Sequence, residues 1–356
     1  MKKLRDGFTT GSCAAAAALA ACLWQRDDFC PDAVELEVPG GKVYRPDIVP
    51  HEDGSCGIYK DSGDDPDITN GMEIVSRVEL LDGDGPVTFC AGDGVGIITQ
   101  PGLKIPVGEA AINPVPRQMI EQAVRSVFGG RAARVTVSIP GGKETALKTF
   151  NPRLGIEGGL SVLGTTGILR PMSLEALRDS LYVELQMRAE QGHKKLAFTF
   201  GNQGEAALEI LGCGLPVVQV SNEIGFMLDS ARELGIQYLL VSGHPGKMTK
   251  IAAGIMQTHS STADGRKESI ITQLALMGAP QELCESVYGC VTTDSAAAFI
   301  HTAGYDGVWD RIAAAARDYM RFRVREEIAI DVLVTDYAGT VMGKCPEDPE
   351  GLKKNE

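Results

Sequence analysis

The chain has 356 residues, 44% hydrophobic and 23% charged, with 42 glycines and a formal net charge of −13. This is the balance of a soluble α/β protein; it lacks the basic footprint of a nucleic-acid or anionic-membrane binder, so any anionic ligand must rely on local Arg, Lys and backbone N–H groups. No apolar run approaches the ~18 residues of a membrane span, and the length exceeds what one core usually supports, so two domains are expected.

The first element is "RDGFTTGSCAAAAALAAC", residues 5–22. Lys2, Lys3 and Arg5 ahead of an apolar run resemble a secretory signal, but Asp6, Thr9, Thr10, Gly11 and Ser12 intervene and alanine is weakly hydrophobic. The better reading is a buried helix to about Trp24, N-capped by Thr10 or Ser12. Its glycine-flanked start would offer N–H groups to an anion. Short strands follow in "AVELEVPGGKVYRPD" and "GSCGIYKD", then an acidic run with Asp61, Asp64, Asp65 and Asp67. That run lacks the glycine and glutamate positions of a calcium loop; it reads as an Asx-rich turn or as a source of a general base. "EIVSRVELLDGDGPVTFCAG", the helix "NPVPRQMIEQAVRSVFG" and the strand "ARVTVSIP" complete an α+β N-terminal domain.

A glycine-rich stretch, residues 151–171, carries a second Thr-Thr-Gly at Thr165, Thr166 and Gly167, which favours a second anion-receiving loop over a linker. A helix from about Ser173 to Ala189 then leads into strict strand–helix alternation from Lys194, the grammar of a Rossmann-like α/β C-terminal domain with a mostly parallel sheet. The expected domains are 1–190 and 191–356, with the late strand "IAIDVLVTDYAG" either in the second or returning to the first, and "PEDPEGLKKNE" as a frayed tail.

"FTFGNQGEAALEIL" bears the strongest chemical signal. A strand ends at Phe200, Gly201 turns the chain, Asn202 and Gln203 occupy the loop, Gly204 permits close approach, and the helix "GEAALEILG" with Glu205 begins. The third glycine of the dinucleotide fingerprint is replaced by Ala207, which favours a cofactor without phosphates, such as S-adenosylmethionine. Asn222 and Glu223 follow at about the 20-residue spacing of a ribose contact, although Ser221 or Asn222 could equally cap the next helix. "VSGHPGK" places Gly243, His244 and Lys247 at another strand end; Met248 occupies the magnesium-ligand position of a phosphate loop, so no nucleotide hydrolysis is implied. "MQTHSSTADGR" is a long polar loop with His259 and Arg266. The nine cysteines form no CxxC pair or Cys/His spacing; they suit a reducing cytoplasm and small core positions, and no metal site is expected.

Taken together, "GFTTGSCAAAA", "KDSGDDPDIT", "GEAAINPVPRQMI", "NPRLGIEGGLSVLGTTGILRPMS", "FGNQGE", "SNEIGFMLD" and "GHPGKMTKIAAGIMQTHSSTADGR" resemble the cobalt-precorrin-5B C1-methyltransferases of anaerobic cobalamin biosynthesis, the CbiD family. The motifs run in order from residue 7 to 266; the last ninety residues match by pattern only. The resemblance implies S-adenosylmethionine-dependent methylation of carbon 1 of a cobalt-bearing tetrapyrrole, with cobalt only as part of the substrate. It favours Asn222 over Glu223 as the ribose contact, beside Gly201, Asn202, Gly204, Glu205, Gly243 and His244. For a macrocycle fringed with carboxylates, Thr9, Thr10, Gly11, Ser12, Arg117, Arg153, Thr165, Thr166, Arg170 and Lys247 are the candidate contacts, in a cleft between domains. Asp64, Asp65 or His259 would accept a proton if one must leave. The rivals are an NAD(P)H-dependent corrinoid reductase and a non-catalytic corrinoid carrier, and a homo-oligomer stays open.

Overall fold

The computed structural model describes residues 4–346, and the chain divides after Leu174 into two compact units. The first is built around helix Thr10–Asp27, in which every residue from 10 to 22 except Leu19 is buried. Alanine is the best helix former and keeps no neighbour at a distance, so this helix can be enclosed on all sides. Helix Pro114–Phe128 and strands Cys56–Tyr59 and Glu73–Asp84 enclose it, and Ser76 Oγ donates to the Ala14 carbonyl at 2.8 Å. Burial also pushes the Cys22 thiol up to about 12, so it behaves as a small apolar side chain.

The sheet of this unit runs Val49–Pro50, Cys56–Tyr59, Glu73–Asp84, Arg131–Ser138, Val87–Ala91, antiparallel except for the last pair. Ile74, Val78, Val135 and Val137 face the helices, while the alternate residues Arg77 and Arg134 are exposed.

Helix Leu174–Glu190 lies in the second unit but for its first residue, and its Leu181 and Leu185 enter that unit's core, so the division falls at the start of this helix and not at residue 190. Its sheet runs Val217–Gln219, Lys195–Thr199, Tyr238–Gly243, Ala329–Thr335, Val341–Cys345; the first four strands are parallel and the last is antiparallel. The strand Ala329–Thr335 therefore stays in the second unit. Continuous apolar runs such as "LAF" and "YLLV" reflect burial on both faces. Helix Asn202–Ile210 covers one face through Leu208, against Ala197, Leu240 and Leu333. Helices Ile224–Glu233 and Val308–Arg323 cover the other, against Phe198, Val241 and Val332.

The helix after His244 is shorter than its pattern implies: it spans Pro245–Ile251 and gives way to a turn at Gly254, whose φ is 79°. Helices Arg266–Leu276, Gln281–Gly289 and Thr293–Thr302, none of them read from the sequence, precede Val308–Arg323. Among the described residues no helix is long and apolar enough to cross a membrane. All but the first residue of the expected tail, 347–356, lies outside the described residues.

Candidate active site

The four parallel strands deliver their carboxyl ends to one cleft of about 640 Å3. Lys195–Thr199 leads into Phe200 and Gly201, Val217–Gln219 towards Asn222, Tyr238–Gly243 into His244, and Ala329–Thr335 into Asp336 and Tyr337; all these following residues line it. The crossover helices Asn202–Ile210 and Ile224–Glu233 lie on opposite faces, so the winding reverses at Lys195–Thr199. Parallel sheets open a binding crevice at such a reversal.

Gly201 has φ 154°, a region open to glycine and little else, and stands as N-cap of helix Asn202–Ile210. Nothing lies within 4 Å of where its Cβ would be, so the turn leaves space beside the first N–H groups of the helix. Gly204 is tighter, an added Cβ standing 3.1 Å from Thr199 Cβ. Gln219 donates from Nε2 to Asn202 Oδ1 at 2.7 Å and to Glu205 Oε2 at 3.0 Å. Asn202 thus lines the cleft, and Glu205 braces the loop without lining it.

Asn222 follows Ser221, which holds an uncommon φ of 50° for a non-glycine residue. The Asn222 Oδ1 accepts from Lys247 Nζ and, at 3.2 Å, from Thr258 Oγ1. Neither Ser221 nor Asn222 caps the next helix, whose N-cap is Glu223. Glu223 is no ribose contact: it is 1% exposed, does not line the cleft, and takes the Arg178 fork at 2.8 Å and Gln257 Nε2 at 2.7 Å. Gln257 Oε1 in turn accepts the His259 N–H at 2.7 Å, so this buried carboxylate anchors the loop that brings Thr258, His259 and Ser260 to the cleft.

Two ammonium groups share this end. Lys250 is buried and donates to the carbonyls of Thr258 and Ala263 at 3.1 and 2.9 Å. Burial lowers its pKa first, Asp264 opposes and Arg266 adds to the lowering; Lys247 is lowered by burial and then by Lys250. Arg266 lines the cleft too, its fork clasping Asp264 at 2.8 and 2.6 Å.

His244 is fixed from three sides. Its Nδ1 accepts the Gly246 N–H at 3.3 Å, its Nε2 lies 3.0 Å from Asp294 Oδ1, and its ring stacks on Tyr337 with centroids 4.0 Å apart at 8°. An accepting Nδ1 requires the proton on Nε2, donated to Asp294. Burial keeps the ring neutral by lowering its pKa, against the pull of Asp294 and Asp336. His259 joins the lining, its Nδ1 2.7 Å from Ser261 Oγ.

The candidates in the first unit have other partners. The helix cap is Thr9, not Thr10 or Ser12; its Oγ1 accepts the Ser12 N–H at 3.3 Å. The N–H groups of Thr9 and Gly11 donate to the carbonyls of Gly167 and Leu163 at 3.2 and 3.0 Å, and Ser12 Oγ donates to Gly167 O at 2.7 Å. Thr10 Oγ1 donates to the Leu163 carbonyl at 3.3 Å and accepts its N–H at 3.0 Å. The two Thr-Thr-Gly segments therefore dock on each other, and the Gly11 and Ser12 N–H groups at the helix start are taken by the Leu163 carbonyl and the Thr9 hydroxyl rather than by an anion. Gly164 permits the approach, since a Cβ there would sit 2.2 Å from Thr9 Oγ1.

Thr165 and Thr166 are exposed, and Thr166 Oγ1 bonds back to Ile168 at 3.1 and 3.3 Å. Arg117 is spent on Glu109 and on the carbonyls of Ile112 and Ala110, at 2.7, 2.7 and 3.0 Å. Arg153 lies in the turn Asn151–Leu154, and Arg170 is exposed after strand Ile168–Leu169. Asp64 accepts the Arg5 N–H at 2.6 Å and Asp65 the Met172 N–H at 3.0 Å, while Asp67 takes the buried Lys60 ammonium at 2.8 Å. The acidic run is a set of loop staples.

Of the residues picked from the sequence, the structure thus gathers Gly201, Asn202, Gly204, Asn222, Gly243, His244, Lys247 and His259 around one cleft. Lys250, Thr292, Thr293, Asp294, Asp336 and Tyr337 line it as well and carried no readable local signal, except that "TDYAG" follows a strand.

Fold and cleft define a mixed α/β protein with a cleft at the carboxyl ends of four parallel strands of its second unit. The family models "CbiD" and "CbiD, C-terminal domain" match residues 1–171 and 257–346. The chain belongs to the CbiD family. A cobalt-precorrin-5B C(1)-methyltransferase of Thermoanaerobacter sp. (strain X514) is 42% identical over 98% of this chain and 97% of its own. One of the same name from Photorhabdus laumondii subsp. laumondii is 43% identical over 96% and 93%. The crystal structure of cobalamin biosynthesis protein (cbiD) from Archaeoglobus fulgidus is 26% identical, covering 74% of this chain and 84% of that one with a TM-score of 0.40.

Proposed function

We propose that this protein is a cytoplasmic enzyme that methylates carbon 1 of cobalt-precorrin-5B, giving cobalt-precorrin-6A in anaerobic cobalamin biosynthesis, with S-adenosylmethionine as methyl donor in a Rossmann-like second domain. The reaction rests on near-full-length relatives of that name. The donor assignment rests on one observation, the convergence of all four parallel strand ends on a cleft whose turn is built by Gly201.

The lining chemistry fits this donor. The Asn222 side chain suits a ribose hydroxyl, the first N–H groups of helix Asn202–Ile210 suit a carboxylate, and neither a third fingerprint glycine nor a magnesium-ligand hydroxyl prepares the site for a pyrophosphate. Bound S-adenosylmethionine supplies an electrophilic methyl on a sulfonium sulfur. The tasks left to the protein are alignment and the exclusion of water, because the conjugated macrocycle carries its own carbon nucleophile. Lys247 is suited to a substrate carboxylate. His259 is our proton acceptor, since Asp64 and Asp65 hold backbone N–H groups instead.

Calorimetric titration tests the reading. Micromolar binding of S-adenosylhomocysteine without binding of NADPH is expected, followed by gain of one methyl when cobalt-precorrin-5B and S-adenosylmethionine are added. Binding of NADPH alone would make the protein a reductase, and binding of neither a corrinoid carrier.

A further inference from the structure

The cleft is lined by three cationic side chains, Lys247, Lys250 and Arg266, the last clasped by Asp264. Lys247 reaches Asn222 and Lys250 reaches Thr258, so both ammonium groups lie by the end of strand Val217–Gln219. The acidic groups gather about His244. Asp294 holds His244 Nε2 at 3.0 Å, Asp336 is close enough to act on the His244 charge, and Tyr337 stacks on the same ring. Tyr337 lines the cleft, stacks one face on His244 and is 60% exposed. His244 cannot swing away, held as it is by Gly246 and Asp294.

An aromatic face stacked on a ring that Asp294 holds, with Asp336 next to it in the chain, attracts a cation through the ring quadrupole and the nearby charges together. We infer that Tyr337 is a specificity residue that recognises the positive sulfonium of the methyl donor and distinguishes it from the uncharged thioether left after transfer. This rests on the donor assignment above. In the transfer, the carbon nucleophile's electron pair forms the new C–C bond while the S–CH3 pair stays on sulfur, so the sulfur loses its positive charge. Tyr337, Asp294 and Asp336 then hold the product less tightly than the donor, which favours its exchange. A neutral His244 leaves the platform without a competing cation.

The test is the ratio of affinities for S-adenosylmethionine and S-adenosylhomocysteine, measured by calorimetry on the full chain without the macrocycle. Wild type should prefer the sulfonium; Tyr337→Leu should reduce that preference about fivefold or more, and Tyr337→Phe, which keeps the ring, should retain it. Asp336→Asn, which keeps the oxygen that accepts Ala338 and Thr340 N–H, should reduce it as well. A ratio unchanged in Tyr337→Leu while both ligands still bind overturns this inference and leaves the donor assignment standing. Absence of binding of either ligand to wild type overturns the donor assignment, and the inference with it.

Discussion

At the scale of single residues, His244 carries the most structure per atom. It caps helix Pro245–Ile251, donates to Asp294 and supports Tyr337, and each role suits a neutral imidazole. Burial depresses its pKa below 6.5, so in acid the unfolded chain binds the proton before the folded one does. By linkage, the stability this group contributes is complete above the unfolded value and is lost as pH falls from it through the depressed folded value. His244→Gln removes the titration. The difference in melting temperature between wild type and this variant should therefore narrow between about pH 7 and pH 5. A gap that widens on acidification would mean that the carboxylates outweigh burial and that the ring is charged in the fold.

At the scale of elements, helix Thr10–Asp27 and segment 163–167 form one device. The alanine run is readable as a helix because propensity and the lack of bulky side chains act locally. What satisfies its first N–H groups is not local: the partners Leu163 and Gly167 arrive from about 150 positions along the chain. Thr10→Val keeps the shape but leaves the Leu163 N–H and carbonyl without the hydroxyl they share. Thermal or denaturant unfolding should show a loss of about 1–2 kcal/mol, with S-adenosylhomocysteine affinity unchanged. Unchanged stability with weakened macrocycle binding would restore the helix start as an anion site. The same lesson covers Arg117 and the acidic run: their residue types suit ligand binding, but nearby carbonyls and N–H groups reach them first.

At the scale of the whole molecule, each unit owns its core. The clusters around Ala14, Ile74 and Val137 stay within residues 13–168, and those around Phe198, Val241 and Trp309 within 181–334. A fragment of residues 175–356 should therefore unfold cooperatively and bind S-adenosylhomocysteine as the full chain does, by circular dichroism and calorimetry. A fragment that unfolds cooperatively without binding would show that the first unit contributes to the donor site. The sequence by itself determined the buried alanine helix, the alternation that becomes a parallel sheet, the turn at Gly201 and the strand ends at Asn222 and His244, because steric preference and hydrophobic period are properties of neighbouring residues. Only the tertiary structure decided that Glu223 is an anchor, that Thr9 caps the alanine helix in company with Gly167, and that Asp294 and Tyr337 meet at His244. Those outcomes depend on where distant segments return, and the nearest satisfied hydrogen bond or ion pair settles a polar side chain's role before any ligand can.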